Sequence, residues 1–179
     1  RDTLAQILSG SSGGQEDYFN ALISMYIDYY NTPTTATVEP VPPRLFCHYR
    51  RSAHFVIVAA VNEAGEILVV RNESKLMDEW NLPVDIVHDD ESIEDICQRL
   101  IVDKAGLRIH AVEPLAVVRR DYTCLGVRAS HRGVALLVYA SGTPATQSGL
   151  LTAYVNTVPR QLHSLHKEVL GRALVRYRP

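Results

Sequence analysis

Cysteine is scarce in this chain of 179 residues, which contains only Cys47, Cys97 and Cys124. No two of them stand in CxxC spacing and their number is odd, so the sequence predicts neither a disulfide framework nor a zinc knuckle. Cys97 lies within a run of isoleucines, which favours a small buried side chain. Free thiols suit a reducing compartment, so we expect a cytoplasmic protein. The chain begins at Arg1 without a methionine, and removal of an organellar presequence would also fit.

Long apolar runs and a large excess of one charge are missing as well. No run approaches the roughly 20 residues that a membrane helix needs, and no basic segment followed by an apolar core indicates a secretory signal. The net charge of −2 excludes a general attraction to nucleic acid or to an anionic membrane. With 46% hydrophobic and 21% charged residues, the composition is that of a globular protein with a buried core.

The first part of the chain has the pattern of an amphipathic helix followed by a tether. In QEDYFNALISMYIDYY (15–30), apolar side chains recur at helical spacing at Phe19, Leu22, Ile23, Tyr26, Ile27 and Tyr30. Four prolines in 31–43 exclude helix and favour an extended segment. We therefore expect residues 1–43 to be a helical appendage with a tether, and residues 44–179 to be a separate domain. The apolar stripe predicts a contact with that domain, or with a second chain in a homodimer or larger complex.

The remainder alternates between strand and helix patterns. Two β-branched runs in 54–72 flank the turn signal at 62–65, which predicts a hairpin. Residues 91–106 have helical spacing and end at Gly106, which suits a left-handed cap. Further strands are predicted in 108–122, 131–141 and 150–158, with a last helix from Pro159. These elements predict a mixed layered structure of the α/β (α+β) class.

From WNLP (80–83) through a loop and a helix to Leu107, the chain resembles the Nudix hydrolase family. The box of that family reads G-x5-E-x7-R-E-U-x-E-E-x-G-U, where U is aliphatic, and residues 85–107 keep its spacing. The matching positions are Glu91, Arg99, Ile101, Gly106 and Leu107, and the departures are Asp85 for the first glycine and Leu100, Asp103 and Lys104 for the three helix glutamates. The resemblance implies a mixed β-sheet sandwiched between helices, with the N-terminal appendage added to it.

The departures concern the chemistry of the box. Family members split a nucleoside diphosphate linked to another moiety, using water and Mg²⁺ or Mn²⁺, and hard cations need several oxygen ligands. Positions 100, 103 and 104 would share one helix face, where this chain offers an apolar group, one carboxylate and a cation. The resemblance makes Glu91, Arg99 and Asp103 the catalytic candidates, and Asp103 and Glu91 the metal candidates. It also implies that Glu91 and Arg99 pair and order the loop.

Other groups outside the box are candidates for binding a substrate. Arginines suit phosphates and a tyrosine can stack on a base, which makes Arg119, Arg120, Arg132 and Tyr139 the candidate substrate-binding residues. His163 and His166 stand at i, i+3 without a third ligand at motif spacing, so an exposed polar face is expected there. The acidic residues before and within the first turn of the box helix are expected to favour its N-terminus.

Three functions fit this sequence. The first is a Nudix-fold protein with an impaired metal site and no cofactor, which binds a nucleotide or phosphate ligand or serves in assembly. The second is an active Mg²⁺- or Mn²⁺-dependent hydrolase of a nucleoside diphosphate derivative. The third is a subunit of an RNA-associated complex, although the near-neutral charge favours nucleic-acid binding little.

Overall fold

The structure is a computed structural model, and it describes residues 35–40, 53–72, 79–88, 91–124, 127–145 and 150–177. The expected helical appendage, with its stripe from Phe19 to Tyr30, lies outside the described residues. The chain divides into two compact units, Ala36–Arg119 with His131–Pro179, and Arg1–Thr35 with Arg120–Ser130. The former contains both helices and the whole box.

A mixed sheet forms the centre of the fold. Its strands in the described residues are β1 (Thr35–Glu39), β2 (Phe55–Val61), β3 (Ile67–Asn72), β4 (Val84–Ile86), β5 (Arg108–Cys124), β6 (Val127–Ser141) and β7 (Leu150–Val155). Their order is β1-β5-β6-β2-β3-β7, and β4 pairs with β2 beside this path. β2 is parallel to β6 and antiparallel to both β3 and β4. The segment around Val38, predicted as an extended tether, thus supplies a strand of the sheet.

Helices cover both faces of the sheet, as the sequence predicts. The helix α1 (Ile93–Cys97) continues into a π-helical segment (Gln98–Asp103), and α2 (Ser164–Tyr177) lies near the C-terminus. Every side chain of β2 is buried. Alternate residues contribute to two cores, one with Ile57 and Ala59 against α2, the other with Val56 and Val58 against α1. Such complete burial explains why β2 is one continuous apolar run.

The box helix differs from the regular helix that its spacing predicts. Ser92 and Asp95 form a capping box at its start, which gives the acidic first turn a structural role. Further along, the amide of Lys104 donates to the carbonyl of Arg99, five residues earlier. This wider turn points Ala105 into the core and leaves Lys104 outside. Gly106 ends the segment at φ 70°, the left-handed conformation expected of it.

The predicted hairpin and the predicted last helix are both present. The hairpin of β2 and β3 is present, with Gly65 at φ 77° in its turn. The last helix begins at Ser164 rather than at Pro159, because Gln161 and Leu162 bridge to Trp80 instead of entering the helix. No helix in the described ranges is long and apolar enough to span a membrane.

Candidate active site

The candidate site is built where β4 and its following loop meet the box helix. Asp85 lies opposite Val56 in the pairing of β4 with β2, and therefore projects from the face that α1 covers. The guanidinium of Arg99 reaches this loop and contacts Glu91 through two nitrogens, at 3.0 and 2.9 Å. Arg99 also pairs with Asp85. The expected pairing of Glu91 with Arg99 is therefore present. It also includes Asp85, which stands where the box pattern has glycine.

Lys104 completes this arrangement, which we call the box charge cluster: Asp85, Glu91, Arg99 and Lys104. Its Nζ lies 3.0 Å from Oδ2 of Asp85. The other oxygen of Asp85 accepts from the amide of Ile86 at 2.9 Å, and Glu91 also accepts from the amide of His88 at 3.3 Å. Two carboxylates and two cations balance, so the cluster is neutral without an added ion.

Burial and neighbouring charges act in opposite directions on the protonation of this cluster. Burial by itself raises the pKa of Asp85. The hydrogen bond and charge of Lys104, the hydrogen bond from the Ile86 amide and the charge of Arg99 lower this pKa by a larger amount, so the net pKa is below its usual value. Burial lowers the pKa of Arg99, whereas its hydrogen bond to Glu91 and the charges of Asp85 and Glu91 raise it more. Both groups are therefore held in their charged forms.

The three positions that carry glutamates in the box do not present an oxygen-rich face. Leu100 is only 5% exposed and packs in the core beneath α1. Asp103 is exposed, and Lys104 bonds to Asp85. Within the parts of the chain that the structure describes, no three Asp, Glu, His or Cys side chains are grouped so that they could hold a metal ion. A leucine side chain and an ammonium group offer no oxygen ligand, so positions 100 and 104 do not fit the divalent ion that the box would hold.

The four candidate substrate-binding residues are not gathered on one face. Arg119 is exposed and its neighbour Arg120 is only 4% exposed, as consecutive residues of a strand point to opposite sides. Arg132 and Tyr139 lie seven residues apart in β6 and so also project oppositely. Tyr139 lies near Tyr177 of α2, with ring centroids 6.2 Å apart. Their role in binding a substrate stays a prediction.

The expectation of an exposed polar face at His163 and His166 is wrong for His166. This side chain is buried, and its Nδ1 accepts the amide hydrogen of Leu82 at 2.8 Å. The spacing of the two histidines was visible in the sequence. The partner of His166, a backbone amide 84 residues earlier in the chain, was not.

Comparison with known proteins gives matches in structure alone. Neither the protein-family models nor the curated proteins include a match. The pyrophosphohydrolase BsRppH of Bacillus subtilis superposes with a TM-score of 0.60 at 16% identity, over 83% of this chain and 92% of its own. A MutT NUDIX hydrolase of Burkholderia pseudomallei gives 0.51 at 20% identity, over 66% of this chain and 95% of its own. At such identities the likeness is one of fold.

Proposed function

Because this chain has the Nudix fold, we propose that it is a Nudix-fold domain with an impaired metal site, acting as a nucleotide- or phosphate-ligand binding or assembly module. The observation that carries the proposal is the neutral box charge cluster. In it, Lys104 and Arg99 take up carboxylate oxygens that an oxygen-seeking cation would need.

Coordination chemistry supports this proposal. Mg²⁺ demands near-octahedral oxygen ligands and gives up its water reluctantly. Asp85 already accepts from Arg99, Lys104 and the Ile86 amide. Glu91 accepts from two nitrogens of Arg99 and from the His88 amide. A metal ion would have to displace these donors and would meet two positive side chains. The arrangement therefore favours a box that stabilises the loop and helix rather than one that binds a metal ion.

An active Mg²⁺- or Mn²⁺-dependent hydrolase is the second candidate function. The exposed carboxylate of Asp103 is the observation that favours it, since a substrate's own phosphates could add the missing ligands. A role as a subunit of an RNA-associated complex remains a hypothesis from the sequence.

A metal titration with a panel of nucleoside diphosphate compounds separates the candidates. Binding is followed by calorimetry and cleavage by product analysis, each with Mg²⁺ and with Mn²⁺. We expect no micromolar metal affinity in the absence of ligand and no detectable turnover. Turnover on the order of 1 s⁻¹ or faster that is lost in Asp103→Ala would instead establish the hydrolase.

Placing glutamate at positions 100, 103 and 104 tests whether these positions can still form a divalent-ion site. The triple change Leu100→Glu, Asp103→Glu and Lys104→Glu is expected to raise divalent-ion affinity, but also to destabilise the fold. A carboxylate at position 100 would be buried with the isoleucines of the core, at a cost of about 3 kcal/mol.

The double change Asp103→Glu with Lys104→Glu, which leaves Leu100 in place, is the matched control. Urea unfolding should show the larger loss in the triple variant. Equal stability of the two variants would contradict the burial of position 100 as the reason for its leucine.

A further inference from the structure

A buried histidine holds the segment that leads into the box. His166 lies in α2, is 6% exposed, and accepts the amide hydrogen of Leu82 on its Nδ1. Leu82 is itself fully buried in the core beneath α2. A nitrogen that accepts a hydrogen bond carries no proton, so the ring in this structure is neutral, with its proton on Nε2.

The backbone of the same segment bonds to the residues just before α2. The amide of Trp80 donates to the carbonyl of Gln161 at 2.8 Å, and the amide of His163 donates to the carbonyl of Trp80 at 3.3 Å. Trp80 also forms a parallel bridge with Leu162. We call this connection of residues 80–82 with residues 161–166 the latch.

We propose that the latch is operated by a proton on His166. Protonating Nδ1 would turn the acceptor into a donor that faces the N–H of Leu82. Two donors would then oppose each other at a buried site, where an unmade hydrogen bond and an unpaired charge are both costly. The ring becomes charged at lower cost when the segment separates from α2 and water reaches it. Acid therefore favours the open latch, and neutral pH favours the closed one.

Titratable and charged groups of β3 and of the α2 region lie near the latch. The His163 ring, from the residue just before α2, lies with its centroid 5.5 Å from that of the His166 ring. From β3, the guanidinium of Arg71 lies 5.2 Å from the indole centroid of Trp80. Lys167 and Glu168 follow on α2 and are exposed, while the core beneath the helix is apolar. The latch residues themselves, 80–82 and 161–166, include no Asp or Glu, and His163 and His166 are their titratable side chains.

Opening the latch would affect the box because the two are only a few residues apart in the chain. Leu82 is followed by Pro83, whose carbonyl accepts from Val58 at 2.8 Å, and then by β4 with Asp85. Asp85 belongs to the box charge cluster. Release of residues 80–82 would therefore loosen the anchorage of β4, whether or not the box hydrolyses any compound.

The sole tryptophan of the chain, Trp80, reports directly on this event. On lowering the pH from 8 to 5, the range in which histidines change charge, its emission should shift to longer wavelength. The protection factor of the Leu82 amide should fall on the order of tenfold per pH unit beyond the titration. Protection of the β2 amides should persist, which distinguishes latch opening from unfolding.

Variants at position 166 identify the group responsible. Asn places a carbonyl oxygen near the position of Nδ1 and does not titrate, so His166→Asn should show no shift over this range. His166→Leu, which removes the acceptor, should have low Leu82 protection at both pH values. His163→Asn should respond to pH like the unmodified chain.

An unmodified chain whose Trp80 emission and Leu82 protection stay constant from pH 8 to 5 would overturn the proposal. So would an equal response in His166→Asn, or a loss of β2 protection together with that of Leu82. Should His166→Leu fail to fold, the Asn variant still decides.

Discussion

Two single residues that depart from the box pattern compensate each other. Asp85 stands where the family has glycine, and Lys104 stands where it has glutamate. Each alone would place an unbalanced charge beside the box, yet their side chains meet at 3.0 Å. Leu100, which stands at a glutamate position of the box pattern, belongs to the apolar core. At the scale of residues, these three side chains make contacts within the protein.

The charge of Asp85 should make the stability of the fold sensitive to acid. Its pKa is lowered in the folded protein, so its contribution is present above its ordinary value of 3.8 and is lost as the pH falls through the folded value below it. Asp85→Asn removes that charge and should lower the free energy of unfolding at pH 7 by about 1 kcal/mol. Urea unfolding at pH 7, 5 and 3 would measure both effects.

The exposed Glu79 provides the control for this prediction. Glu79→Gln should leave stability within about 0.5 kcal/mol and should keep the acid-induced loss of the unmodified chain. The Asp85 variant should lose less stability than the unmodified chain between pH 5 and pH 3. Parallel losses in both would show that Asp85 is not among the groups that set the acid response.

At the scale of elements, small departures from regular geometry position the important side chains. The π-helical segment rotates the end of the box helix, so that Ala105 faces inward and Lys104 faces Asp85. Such widened turns are frequent at functional sites. On the opposite face, Arg172 of α2 donates to the carbonyl of Val38 in β1 at 2.5 Å, and Arg176 donates to that of Pro114 in β5 at 2.8 Å. These bonds attach the helix to two neighbouring strands.

Two glycines predict opposite outcomes for the same substitution. Gly65 has φ +77° in the hairpin turn, and a Cβ there would lie 2.7 Å from the Tyr177 ring. Gly171 lies within α2, and a Cβ would meet nothing within 4 Å. Gly65→Ala should therefore destabilise the fold by more than about 1 kcal/mol. Gly171→Ala should stabilise it by about 1 kcal/mol through helix propensity.

Thermal and urea unfolding of the two alanine variants measure this contrast, and each serves as the other's control. A stabilised Gly65→Ala variant would mean that the turn and Tyr177 relax without cost. A destabilised Gly171→Ala variant would mean that this face of α2 is in contact with another part of the protein.

At the scale of the whole molecule, the sequence makes a prediction about the N-terminal segment. Its apolar stripe, read from the sequence, predicts burial against the domain or a second chain. Deletion should end at residue 34, because Val38 of β1 is buried in the core. Removing residues 1–34 is expected to lower the melting temperature or to change the molecular mass in solution, measured by calorimetry and light scattering.

Point variants test the same segment without a deletion. Ile23→Gln with Ile27→Gln should reproduce the effect of the deletion, because both side chains lie on the predicted stripe. Ser24→Gln adds a polar side chain away from the stripe and should have little effect. A deletion variant with unchanged melting and unchanged mass would show that the stripe is not buried.

The fold could be predicted because the sequence features that indicate it are either short local patterns or a motif with fixed spacing over many residues. The β-branched runs around residues 62–65 predict the hairpin from alternation alone, and the box spacing over 85–107 predicts the mixed sheet with its helices. Cys97 was expected to be buried, and it is; burial, and secondarily the charge of Glu94, raises the pKa of its thiol to about 12. In each case the relevant neighbours are close in sequence, so the pattern contains the information.

Contacts between distant residues were settled by packing. Lys104 finds Asp85 across 19 positions, and His166 finds Leu82 across 84. Neither pair has a spacing signature, because the strand register and the widened turn of the box helix decide which side chains meet. Whether Leu100 faces a ligand or the core likewise depends on burial, which exists only once the helix lies on the sheet. Helices and turns follow from residues that are neighbours in the sequence. The contacts of Lys104 with Asp85 and of His166 with Leu82 form only once the helices are packed on the sheet, because packing alone brings these residues together.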